Sequence, residues 1–71
     1  MKLNNNIVVL DFNDVIDIIH NLSYSQGFYG RLLRDIGELK KYEPEHFEMF
    51  VEEIESQNFR TALDVIMYFE G

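Results

Sequence analysis

Apolar residues recur at the three- and four-residue spacing of an α-helix along most of this chain. Phe12, Val15, Ile16, Ile19 and Leu22 form one stripe, and Phe28, Leu32, Leu33, Ile36 and Leu39 a second. Phe47, Phe50, Val51 and Ile54 form a third. A last segment, from Phe59, becomes apolar nearly all round between Val65 and Phe69. Stripes of this period are buried by packing helix on helix. The expected fold is therefore all-α: a small bundle of four short helices at approximately 12–22, 25–39, 44–55 and 59–69, in one domain spanning 12–71. Residues 1–11 are expected to form an extended N-terminal arm or a short strand. The β-branched run Ile7-Val8-Val9-Leu10 would pair with its copy in a dimer or lie along a helix.

Local signals set the expected boundaries. Asp11 reads as an N-cap, with Asp14 at the third helical position as a variant capping box and Leu10 facing Val15 as a hydrophobic staple. Ser23 and Ser25 are both candidate caps for the next helix; Ser23 with Gln26 matches S-x-x-Q and predicts a second box, which would place Gly27 and Gly30 inside the second helix. The alternative is a single helix from Phe12 to Leu39 bent near Ser25–Gly27, and a break is preferred. Lys40–Glu43 is the next expected connection. Pro44 suits the first position of a third helix, with Glu45 in its favourable first turn. Ser56 or Asn58 is expected to cap the last helix. Ser25-Gln26-Gly27-Phe28 is echoed by Ser56-Gln57-Asn58-Phe59, a match too short to signal a repeat architecture.

With 71 residues and no cysteine, the chain has neither disulfides nor thiolate metal ligands to support a small core. A partner subunit is the usual remaining support, so a homodimer is expected. The formal charge is −7, which disfavours direct binding to nucleic-acid phosphates and suits a protein partner with a basic face, or solubility alone. The longest early apolar run is four residues, Ile7–Leu10, too short for a signal peptide core or a membrane span. No membrane association is expected, and the location is expected to be cytoplasmic.

Two constellations are candidate partner-binding surfaces. In Ser23–Leu33, Gly27 and Gly30 each cost about 1 kcal/mol relative to alanine inside a helix. Either they permit close helix packing, or they leave a bare backbone groove flanked by Phe28, Tyr29, Arg31 and Arg34 that receives a partner's side chain. The second constellation is the carboxylate stripe Glu45, Glu48, Glu52 and Glu55, joined by Glu53. It reads as a solvated helix face, or as a mimic of nucleic-acid charge and dock for an arginine-rich partner. No catalytic residue, cofactor or metal site is expected. The serines lack a base at motif spacing, His20 and His46 form no H-x-x-x-H pair, and the EF-hand pattern is absent.

The stretch S-Q-G-F-Y-G-R-L-L, the acidic Glu43–Glu55 and the later Q-N-F resemble features of small uncharacterised proteins of bacteriophages and mobile elements, as does the closing M-Y-F-E-G. The resemblance spans most of 12–71 and implies work inside a bacterial host, without an activity to transfer. The functional expectation is a non-enzymatic, acidic protein-binding module that engages a host or phage protein, one version of which inhibits a host nucleic-acid-handling or defence enzyme. The alternative is a structural or assembly protein acting as a homo-oligomer.

Overall fold

The computed structural model describes residues 1–4 and 6–71. Its elements are β1 (Lys2–Asn4), β2 (Ile7–Val9), α1 (Phe12–Ser23), α2 (Gly27–Tyr42), α3 (Pro44–Ser56) and α4 (Ala62–Glu70). The fold is a small all-α bundle preceded by a two-stranded hairpin.

α1 begins as its sequence predicts. The Asp11 carboxylate accepts from the Asp14 N–H at 2.9 Å, and the Asp14 carboxylate accepts from the Asp11 N–H at 3.2 Å. A further free donor at this helix start, the Phe12 N–H, is met from 43 residues away by the Glu55 carboxylate at 2.9 Å. The cap thus fixes where α1 starts and Glu55 fixes where it lies against α3.

The α1–α2 junction is a break, but not the predicted one. The Ser23–Gln26 box does not form. The Ser23 hydroxyl donates backward to the His20 carbonyl at 2.6 Å, and the Ser25 hydroxyl to the Leu22 carbonyl at 3.2 Å. Both serines therefore finish α1 instead of starting α2. Gln26 precedes α2 without a side-chain cap, so Gly27 is the first helical residue and only Gly30 and Gly37 lie in the interior. α2 also outlasts its prediction, through Lys40 and Lys41 to Tyr42, and the connection shrinks to Glu43. Cations in the last turn suit the negative end of a helix, and the Lys40 ammonium sits 5.6 Å over the Phe47 ring on α3. Pro44 opens α3 as expected, with Glu45 in the first turn.

The start of α4 is corrected by three residues. Neither Ser56 nor Asn58 caps it. The Ser56 hydroxyl donates to the Glu53 carbonyl at 2.6 Å, and Asn58 adopts φ 53°, the left-handed conformation that ends a helix. Thr61 is the cap: its hydroxyl accepts from the Asp64 N–H at 3.4 Å, while the Asp64 carboxylate accepts from the Thr61 N–H at 3.2 Å. The echo between Ser25 and Ser56 has a physical content after all, since both hydroxyls close the preceding helix. It ends there, because Phe59 is buried and Phe28 is exposed.

The N-terminal run finds a strand partner within the chain. β2 lies antiparallel to β1, with Lys2 opposite Val9, Leu3 opposite Val8 and Asn4 opposite Ile7. Val9 turns inward, and the next N–H, of Leu10, donates to the Phe59 carbonyl at 2.7 Å. The core joins Val15 and Ile19 of α1, Tyr29 of α2, Ile54 of α3, Phe59 of the α3–α4 loop and Val65 of α4. Tyr29 corrects the sequence reading, which put Phe28 on the inner face: Tyr29 is wholly buried while Phe28 is 43% exposed. The ring of Tyr29 fills the centre and its hydroxyl donates to the Glu70 carboxylate of α4, so its polar tip is met as burial requires. Burial and, secondarily, the Glu70 carboxylate push this hydroxyl up to about 12.

Candidate functional site

Gly27, Gly30, Arg31 and Arg34 share the outer side of α2, all exposed. A Cβ added at Gly27 or Gly30 would meet no atom within 4 Å, so the close-packing reading does not hold within this chain. Neither arginine makes an ion pair among the described residues. Of the residues grouped with these glycines, Tyr29 leaves the surface for the core, while Phe28 stays half out beside it, the two rings edge to face at 5.1 Å.

The carboxylate stripe divides in the same way. Glu45, Glu48 and Glu52 are exposed, but Glu55 is half-buried and holds the start of α1. Glu53 faces Tyr68 of α4, whose hydroxyl is pushed up by burial first and by this neighbouring carboxylate second. Among the exposed acids stands Met49, 65% exposed, with Glu45 and Glu53 one turn to either side. An apolar side chain in the middle of a carboxylate face is unlike a purely solvated stripe.

The feature that joins these two helices is a groove. Leu32, Asp35, Ile36 and Leu39 of α2 and Phe50 of α3 line a depression of about 260 Å³. Among the described residues Asp35 is its only charged wall; the others are aliphatic or aromatic. Phe28 lies one turn before Leu32 on α2, whereas Met49, Glu45, Glu48 and Glu52 lie about 100° or more round α3 from Phe50 and outside the groove lining. The sequence reading assigned Leu32, Leu39 and Phe50 to the core because their spacing is helical. In the structure all three are only partly buried, and Leu32 and Phe50 rest on the core while lining the groove. The available signal was the breadth of the apolar arc: Phe28, Tyr29, Leu32, Leu33, Ile36 and Leu39 cover more of α2 than one inward face can use.

Other candidate chemistries find no gathered site. The His20 ring packs edge-on against Tyr24 at 5.4 Å, and His46 Nδ1 lies 2.9 Å from a Glu43 carboxylate oxygen. Among the described residues no cluster of three or more His, Cys, Asp or Glu is placed to hold a metal ion. No helix among them is long and apolar enough to cross a membrane. In comparisons with known proteins, no family model, no curated protein and no solved structure matches this chain.

Proposed function

We propose that this chain is a non-enzymatic protein-binding module and that its binding surface is the groove between α2 and α3. The observation that carries the reading is that groove itself: Leu32, Leu39 and Phe50 line it and stay partly open to solvent. Apolar walls ringed by charge are what a partner's anchoring side chains fill. Glu45, Glu48 and Glu52 add a field that speeds the approach of a basic partner. The resemblance to phage and mobile-element proteins favours a partner in a bacterial cytoplasm, and a host nucleic-acid-handling or defence enzyme, whose own substrate is anionic, would present the required basic face.

A photo-crosslinking side chain at Asp35, an exposed wall of the groove, in cells of a bacterial host, tests the reading against the same side chain at Asn13, exposed on α1. A discrete heterologous adduct from position 35 and none from 13 is expected. No adduct at 35, or equal labelling at both positions, sinks the proposal.

Exposed Leu63 and Met67, one turn apart on α4, favour a second reading, a homo-oligomeric assembly protein. Sedimentation equilibrium at micromolar concentration decides it. A dimer mass that reverts to monomer in Leu63→Glu supports assembly through α4, and a monomer throughout removes it.

A further inference from the structure

We infer that a second copy of this chain packs antiparallel on the outer face of α4, with Leu63 of each copy against Met67 of the other and Arg60 paired with Glu70 at both ends. The inference rests on the assembly reading and supplies its geometry.

The outer face of α4 is apolar at its centre and open. Val65 turns the helix to the core, and at about 100° per residue Leu63 and Met67 fall on the opposite side. They are 62% and 63% exposed. Glu70 falls on the same side and is exposed. Arg60, also exposed, stands just before the helix, and its N–H donates to the Asp64 carboxylate at 2.9 Å, which holds its backbone over the first turn. Beside Met67, the residues Asp64, Tyr68 and Phe59 help to wall a depression of about 440 Å³. A leucine carried in by a neighbouring helix has room there.

The order of these residues names the occupant. Arg60, Leu63, Met67 and Glu70 are spaced three, four and three apart, a pattern symmetric about position 65. A copy running antiparallel therefore sets 63 against 67 and 60 against 70 twice over, the isologous contact of a twofold axis. Each end then joins a guanidinium to a carboxylate. A parallel copy would set Arg60 on Arg60 and Glu70 on Glu70, and like charges oppose it. Glu70 has the capacity for its part: one of its oxygens accepts from the Tyr29 hydroxyl, and a carboxylate has a second. Arg60 makes no ion pair among the described residues. Two helices of nine residues make a small contact, below the about 1,200 Å² of a stable interface. The dimer is therefore weak, and its end pairs, modest as exposed pairs are, decide a visible share of it.

Charge exchange between copies tests this. Sedimentation over a concentration series at low salt reads self-association of the parent, of Arg60→Glu, of Glu70→Lys, and of an equal mixture of the two variants. Each variant alone should associate about tenfold more weakly than the parent, because both ends of its dimer become repulsive. In the mixture, a heterodimer has one end pair reversed in sense and one unchanged, both attractive. Its association should recover to within about threefold of the parent. Glu70→Lys also takes the acceptor from the Tyr29 hydroxyl, so urea melts check its fold. If it does not fold, Glu70→Gln replaces it, and the mixture with Arg60→Glu then keeps one ion pair where each variant alone has none. Unchanged association in the variants, or a loss that mixing does not repair, overturns the inference. If the parent dimerises and Leu63→Glu dissociates it while mixing repairs nothing, α4 is the interface and only the antiparallel pairing is wrong. A monomer throughout removes the assembly reading and the inference together.

Discussion

α1 and α4 start differently from α2 and α3. Asp11 with Asp14, and Thr61 with Asp64, close reciprocal boxes at the first pair of helices. The second pair begins without a side-chain cap, at Gln26 and at Glu43. The uncapped pair is also the pair that forms the groove. Helices with satisfied starts hold their position through local bonds, whereas α2 and α3 hold theirs through packing on Phe12, Tyr29 and Ile54.

The comparison breaks most severely at the shared core. Ile19→Ala removes a wholly buried side chain and should lower unfolding free energy by about 2–5 kcal/mol in urea melts. A loss under about 1 kcal/mol would mean that α1 is not the support of both pairs. Next comes Tyr29→Phe, which keeps the ring and deletes the bond to Glu70, at about 1.5 kcal/mol. The same variant has a pH signature. The folded hydroxyl titrates near 12 against 10 when unfolded, so its contribution is whole below pH 10 and lost as pH rises from 10 to 12. Melts across that window should show a Tyr29-dependent decline that Tyr29→Phe lacks.

The caps themselves give the smaller contrasts. Asp11→Ala should cost about 1 kcal/mol, and Gln26→Ala should stay within about 0.5 kcal/mol of the parent. Equal losses would erase the distinction between the two pairs. Gly30→Ala should stabilise by about 0.5–1 kcal/mol, because the site is open and helix propensity rises. A destabilised Gly30→Ala would revive the close-packing reading for this glycine.

Much of the helical layout was legible without tertiary structure. Asp11 needs only Asp14 three residues on, Pro44 needs only its own fixed φ, and the apolar stripes need only the helical period. The misread boundaries share one cause. Ser23, Ser25 and Ser56 carry hydroxyls that serve equally a helix ahead or a carbonyl behind, and local sequence does not say which. Gln26 therefore matched a capping motif that the chain does not use.

By itself, the sequence determined that the chain forms short amphipathic helices punctuated at Asp11, the Ser23–Gln26 break and Pro44, since these rest on interactions within a few residues. Only the tertiary structure decided that Tyr29 and not Phe28 goes inside, because that depends on Glu70 arriving 41 residues later to satisfy the hydroxyl. It likewise took Glu55 out of the acidic stripe, through a bond that closes over 43 residues. The groove belongs to the same class of outcome. Leu32, Leu39 and Phe50 look like core residues on any helical wheel, and what leaves them open is the space between two packed helices, a quantity no single segment contains.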